Sequence, residues 1–304
     1  MTSCVESNNR DDRTVASFGD EWQRFDQSSL TEEESATIFA GYFSIFPWDR
    51  LPVDATGFDM GCGTGRWARH VAKRVRILHC IDPSEALAVA RRTLGDASNV
   101  VFHAGGVDDG CLPEASQDFG YSLGVLHHVP DTESAMRACV RMLKPGAPFL
   151  VYLYYALDNR PAAFRALWKV TEICRALICR LSPAIKHLTT DIIATVVYLP
   201  LARMSKVFSM FGVPVAGLPL SFCRDRSFYT MRTDSRDRFG TPLEQRFSKA
   251  EIHRMMVNCG LEDITFSDAE PFWCAVGVKA IESDLAGIKA SATEHGTHEQ
   301  EPEE

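Results

Sequence analysis

Short apolar runs alternate with helical stretches through the first half of the chain. Residues 57–60, 76–81, 99–103, 119–123 and 148–155 read as strands, with 66–74, 84–94 and 131–143 as the helices between them. Ser84 stands where the second helix needs its N-cap, and 131–143 places Ala135, Ala138, Cys139 and Met142 on one stripe before the KPG of 144–146 stops it. Strand–helix alternation predicts a parallel sheet covered on both faces. From 161 to 229 the rhythm changes: 163–181 and 192–211 are apolar and helical, with no strand between them. Alternation returns with a helix over 248–259, ended by Gly260, and strands over 261–266 and 271–279. The short polar link between those two strands predicts an antiparallel hairpin at the sheet edge. The expected fold is α/β: a doubly wound, seven-stranded, mostly parallel Rossmann-like sheet with an antiparallel last strand. Its core occupies 17–157 and 247–280, interrupted by a helical insertion at 158–246. Residues 1–16 are polar and 281–304 acidic without apolar periodicity, so both ends are predicted to be disordered.

Composition narrows the function classes. Of 304 residues, 45% are hydrophobic and 24% charged, enough to bury an ordinary core. A formal net charge of -8 argues against a nucleic-acid partner, which needs a basic footprint. Ten cysteines are scattered with no CxxC pair, which gives neither a disulfide framework nor a metal site. The first thirteen residues lack an apolar signal segment, and a reduced, cytoplasmic protein is expected. Within the insertion the most apolar run, 192–202, is about half the ~20 residues a bilayer crossing needs. Asp191, Arg203 and Lys206 bracket it. No transmembrane span is therefore predicted. The insertion helices are expected to pack on the main domain or to form a lid over an apolar pocket, with peripheral membrane contact left open.

Candidate chemistry begins at Gly61, Gly63 and Gly65, between the first strand and its helix, where open sheets bind ligands. The pattern is GxGxG, with the third glycine one residue earlier than in the dinucleotide fingerprint. Asp82 ends the second strand, next to this loop in such a topology, and a carboxylate there can accept both hydroxyls of a ribose.

Four motifs in order, FDMGCGTG at 58–65, IDPS at 81–84, GVLHHVPD at 124–131 and RMLKPG at 141–146, resemble the class I S-adenosylmethionine-dependent methyltransferases over about residues 18–279. The resemblance implies S-adenosylmethionine as cofactor. It implies that Asp59, Gly61, Cys62, Gly63 and Gly65 line its methionine portion, that Asp82 holds the ribose, and that Pro83 and Ser84 lie beside the adenosine. Val107 and Asp108 would flank adenine, Asp108 facing the exocyclic amine, and Gly124 would border the sulfonium. The family more often has an acidic residue where Val107 stands. The aromatic segment 18–25 is similar to one that folds over the cofactor, so Trp22 and Phe18 are expected to close the site.

A sulfonium donor is already activated, so the protein has to align a nucleophile and exclude water; no metal is required. A hydroxyl acceptor gains from a general base. Of the adjacent His127 and His128, one is expected to face the pocket, and His127 is the expected catalytic residue, with His128 on the substrate side. Arg238, Gln245 and Arg246, in a stretch resembling the family's substrate-side linker, are expected to meet an acidic or polar acceptor. The function expected is methyl transfer to an oxygen or nitrogen of a small, hydrophobic or aromatic metabolite. The alternatives are a non-catalytic, cofactor-binding regulatory protein and a nicotinamide-dependent oxidoreductase. The early third glycine and the KPG of 144–146 disfavour the latter.

Overall fold

The computed structural model describes residues 9–281 apart from Asp96 and Ala216. β1 (Thr56–Met60), β2 (Ile77–Asp82), β3 (Val100–Ala104), β4 (Phe119–Leu123) and β5 (Pro148–Tyr152) are mutually parallel. β7 (Cys274–Lys279) runs antiparallel to β5 and to β6 (Leu261–Phe266). The order β3-β2-β1-β4-β5-β7-β6 reverses its winding at β1. The crevice beyond the carboxyl ends of β1 and β4 is thus the topological switch point, the place where such sheets take ligands. The hairpin lies at the edge as expected, with β6 outermost.

Side chains alternate across the sheet. Phe58, Phe149 and Val151 pack on one face with Met136 of α5 (Thr132–Met142) and Ile252 and Met256 of α10 (Lys249–Asn258). Leu78, Tyr121 and Leu150 pack on the other with Phe39 of α2 (Glu32–Tyr42), Trp67 and Ala68 at the start of α3 (Ala68–Val71), and Leu87 of α4 (Ala86–Thr93). Cys80 and Cys139 fill these layers as small buried side chains.

Several boundaries differ from the sequence reading for local reasons. α4 starts at Ala86 rather than at 84, because the Ser84 backbone and hydroxyl are both spent on Asp82. The helix predicted over 66–74 is one α-turn, Ala68–Val71, followed by a 3₁₀ turn. β5 ends at Tyr152, leaving Tyr155 in a single bridge to Phe247. The predicted disorder of 1–16 is corrected for its last residues. α1 (Asp12–Arg24) starts at Asp12, capped by the Asp11 carboxylate, which accepts from Thr14 N–H at 2.7 Å. Residues 1–8 and 282–304 lie outside the described residues, and so does nearly all of the predicted acidic tail.

The insertion holds α6 (Ala162–Ile178), α7 (Pro183–Ile193), α8 (Leu199–Met210) and α9 (Phe228–Gly240). A π-helical turn at Ala194–Tyr198 joins α7 and α8 into one helix. This corrects the length argument against a bilayer crossing. Pro183–Met210 is 28 residues long with mean hydropathy 1.3 in its most apolar stretch, sufficient for a span by length and composition alone. α9 was missed because its polar face reads as a linker, and Arg238 belongs to its last turn. α1 clasps the insertion to the sheet. Arg24 and Arg232 both pair with Asp191 (2.5 and 2.9 Å), Arg236 pairs with Asp20 (2.9 Å), and Ser17 donates to Gly240 O.

Candidate active site

The loop after β1 folds tightly because Gly61, Gly63 and Gly65 take φ of +77°, +54° and +78°, which L side chains resist. A Cβ on Gly61 would stand 2.4 Å from the Val125 side chain. Gly61 and Cys62 donate their N–H groups to Ile81 O at 2.8 and 3.1 Å. Asp82 fixes the remainder: one oxygen accepts from Gly63 N–H (2.9 Å), the other from Ser84 N–H and Oγ–H (2.8 and 2.6 Å). The carboxylate that ends β2 thus ties the first two βα loops together. Burial raises its pKa, and the bonds from Ser84 and Gly63 oppose that rise. The Trp22 indole nitrogen lies 3.5 Å from where a Gly63 Cβ would sit, so α1 roofs the loop.

These groups border a cavity of about 1540 Å³, above the ~300–1,000 Å³ of a typical small-ligand pocket. Its wall combines 61–64, 82–84, Val107 and Gly124 from the loops after the first four strands with Tyr152 and Tyr154 of the β5 segment and with Trp168, Ile178, Tyr198 and Asp234 of the insertion.

The cavity wall includes Phe18, Trp22, Gly61, Cys62, Gly63, Asp82, Pro83, Ser84, Val107, Gly124, His128, Arg238 and Arg246 from the sequence reading. Five expected residues stand off it. Asp59 lies beneath the loop, 1% exposed, beside the Tyr121 hydroxyl with neither carboxyl oxygen in a well-formed hydrogen bond. Gly65 is turned toward Leu94 and Ala90 of the α4 region, so it packs the loop rather than the ligand. Asp108 points outward, accepting from Asn9 N–H, because Asp109 closes the turn onto Gly106 N–H. Gln245 is occupied with Val129 O at 2.6 Å.

His127 is the fifth, and the expected order of the two histidines is reversed. It is fully buried with its ring 3.9 Å from that of Tyr154 and both nitrogens unpartnered, while His128 lies on the wall. The 3₁₀ turn Leu126–His128 swings the second ring, not the first, toward the cavity. His128 Nδ1 lies 2.7 Å from Leu243 O. A carbonyl only accepts, so Nδ1 carries the proton and Nε2 keeps its lone pair, buried and without a partner among the described residues. Burial lowers the His128 pKa, partly offset by Asp237. Phe18 packs edge-on to this ring at 4.8 Å.

The two arginines do not present free positive charge to an acidic acceptor. Arg238 bonds Glu172 (2.6 Å) and Thr171 and lies 3.6 Å over the Trp168 ring. Arg246 pairs with Glu244 at 2.8 Å and lies 4.0 Å from the centroid of the same Trp168 ring. Residues the sequence reading missed occupy that part of the wall instead. Tyr154 donates its hydroxyl to Asp237, and Asp234 is raised to about 6 by burial and by Asp237, the Tyr198 hydroxyl opposing. The i, i+3 carboxylates of α9 signal this pair, once 228–240 is read as a helix. Arg66 was also missed. It lines the cavity and rests on Trp67 and Trp22 at 4.3 and 5.6 Å, with no ion pair among the described residues.

Residues 58–151 match the family described as methyltransferase domain. A ubiquinone biosynthesis O-methyltransferase of Xanthomonas axonopodis pv. citri is 31% identical over 145 residues, 47% of this chain and 58% of that one. An ajmaline N-methyltransferase of Rauvolfia serpentina is 30% identical over 156 residues, 46% of this chain and 52% of that one. The chain thus spans little more than half the length of these relatives. Among solved structures, an S-adenosylmethionine-dependent methyltransferase of Mesorhizobium loti gives a TM-score of 0.33 at 30% identity, over 38% of this chain and 53% of its own.

Proposed function

We propose that this chain, whose residues 58–151 form a methyltransferase domain of the class I S-adenosylmethionine-dependent type, moves a methyl group to an oxygen or nitrogen of a small, largely apolar molecule. The observation that carries this reading is the shared chamber: a glycine loop with its carboxylate anchor and a neutral histidine with an unused Nε2 border one cavity.

The glycine-loop part of the cavity fits S-adenosylmethionine. Gly61 and Gly63 leave the floor without side chains, and no atom lies within 4 Å of where a Gly124 Cβ would stand, so the backbone is open to a ligand. Asp82 would accept from the ribose hydroxyls, Trp22 would cover the methionine portion, and Arg66 would pair with its carboxylate. When bound, S-adenosylmethionine supplies an electrophilic methyl carbon on a positively charged sulfur. Its sulfur would leave as a neutral thioether, and His128 Nε2, on the cavity wall, would accept the proton of an acceptor hydroxyl. Tyr152, Tyr154 and Trp168 present aromatic faces to the acceptor, and the Tyr154–Asp237 pair orients its polar end. Trp22 and the insertion helices exclude water, which would compete for the methyl group. We place the protein in a reducing, cytoplasmic setting, with which the nine free thiols among the described residues agree.

Asp82→Ala removes one ligand anchor and three hydrogen bonds that shape the loop. Donor binding should weaken by about 2–4 kcal/mol, roughly 30- to 1,000-fold in Kd, measured by calorimetry. An unchanged Kd would remove Asp82 from the site. The reading as a whole is tested by incubating the protein with methyl-labelled S-adenosylmethionine and fractionated small-molecule extracts. Label should appear by mass spectrometry in an oxygen- or nitrogen-methylated product. Donor binding without a labelled product from any fraction would favour a regulatory protein.

A further inference from the structure

Along the continuous helix α7–α8, polarity is inverted relative to burial. The inward stripe consists of Lys186, Thr190, Ala194, Tyr198, Ala202 and Ser205, small or polar but for one tyrosine. Lys186 donates to Gly240 O and Ser235 to Thr190 O, which ties this stripe to α9. The outward stripe carries Ile185, Leu188, Ile192, Val196, Val207 and Phe208, each 40–66% exposed. α6 repeats the arrangement with Leu167, Val170, Ile173 and Leu177, 51–65% exposed. Sixteen of the twenty-two large apolar side chains exposed among the described residues lie between 167 and 213. Helices that face water show the opposite pattern, and a concentrated apolar surface of this kind marks an interaction face.

Charge selects the occupant. Residues 161–226 carry nine Lys and Arg against three Asp and Glu, in a chain whose formal net charge is -8. Arg165, Lys169, Arg180, Arg203 and Lys206 are exposed beside the apolar stripes. Two such faces meeting in a dimer would bring like charges together, whereas an anionic lipid surface complements them. The helix is not free to cross the bilayer. Asp191, nine residues into it, is held by Arg24 and Arg232, and a crossing by the whole helix would take that ion-pair cluster into hydrocarbon. The cavity also reaches this face. Leu167, Val197 and Phe222 are 51%, 42% and 44% exposed and line the cavity as well.

We infer that α6 and α7–α8 seat the protein on an anionic lipid bilayer, lying in the plane of its interface, with the mouth of the cavity turned toward the lipid. Docking stands independently of the methyl-transfer reading; only the passage of an acceptor from the bilayer into the cavity rests on it.

The test is flotation of the full chain with vesicles of phosphatidylcholine containing about 30 mol% phosphatidylglycerol, against phosphatidylcholine alone. The protein should float with the anionic vesicles, less so as salt rises, and be released by alkaline carbonate. Leu188→Asp combined with Ile192→Asp should lower the bound fraction at least about tenfold, with circular dichroism and S-adenosylmethionine affinity unchanged. Arg165→Glu with Lys169→Glu should remove the preference for anionic vesicles. Absence of flotation, or flotation unaffected by Leu188→Asp with Ile192→Asp, would overturn the inference. Retention after carbonate would replace in-plane docking by a span. A concentration-dependent dimer abolished by Leu188→Asp with Ile192→Asp, without flotation, would assign the face to a second copy. Flotation with failed methyl transfer would leave docking standing and refute only the proposed function.

Discussion

His128→Asn should lower turnover by roughly 10²–10⁴-fold, the usual contribution of a positioned general base, while donor Kd stays within about threefold. Asparagine can keep the bond that Nδ1–H makes to Leu243 O, yet places nothing where Nε2 stands. The loss should therefore fall on kcat for a hydroxyl acceptor, with the fold intact. His127→Asn provides the contrast. That ring lies off the cavity wall, so turnover should change by no more than a few fold. The pH profile carries an independent sign. Burial lowers the His128 pKa, so the base stays neutral below the ordinary imidazole value of ~6.5. Activity should hold as pH falls through that value and decline only in more acidic solution. Single-turnover kinetics across pH 5–8 would show it. A decline centred at or above the ordinary value, or equal losses in His127→Asn and His128→Asn, would remove His128 from the role.

Asp59→Asn should stabilise the protein at neutral pH. Burial, helped by the Asp82 carboxylate, raises the Asp59 pKa to about 8 against the Tyr121 hydroxyl and the Arg66 charge, so the folded carboxyl stays protonated where the unfolded one is ionised. An unfolded aspartate releases its proton near ~3.9. Between that value and about 8 the unfolded state is increasingly favoured, and native stability falls as pH rises through the window. At pH 7 the penalty amounts to about 4 kcal/mol. Asparagine has nearly the same shape and no charge, so the gain should approach that figure at pH 7 and vanish near pH 4. Thermal unfolding of both proteins across this range measures it. Donor affinity should stay unchanged, because Asp59 lies beneath the loop and off the cavity wall. A variant that is no more stable at pH 7, or that loses donor binding, would return Asp59 to the ligand.

The sheet and the glycine loop were legible because local chemistry specifies them. Strand runs alternating with helices fix a parallel sheet. Three glycines at positive φ and an aspartate at the end of β2 have few uses besides a ligand turn. Illegibility begins where tertiary geometry decides. Adjacent histidines differ only in which way a 3₁₀ turn rotates them, and neither ring's environment is written in the GVLHHVPD run. Arg238 and Arg246 looked available for an acidic acceptor, yet Glu172 and Glu244, distant or unremarked in the sequence, neutralise them. The bilayer argument rested on 192–202, the most apolar part of the helical run 192–211, which was not joined to residues 183–191 and which contains Pro200. Proline is tolerated there because the preceding π-helical turn already breaks the regular ladder, and the helix continues. The polar face of α9 hid Asp234 and Asp237 in the same way, since burial there comes from the neighbouring helices and not from its own periodicity.

The central claim is that the glycine loop, Asp82 and Trp22 form a binding site for S-adenosylmethionine. Isothermal titration of the full chain with that compound tests it most directly. The expected result is saturable one-site binding with Kd between ~1 µM and ~1 mM, weakened roughly 30-fold or more by Asp82→Ala. No heat at millimolar donor, or binding that Asp82→Ala leaves untouched, would contradict it.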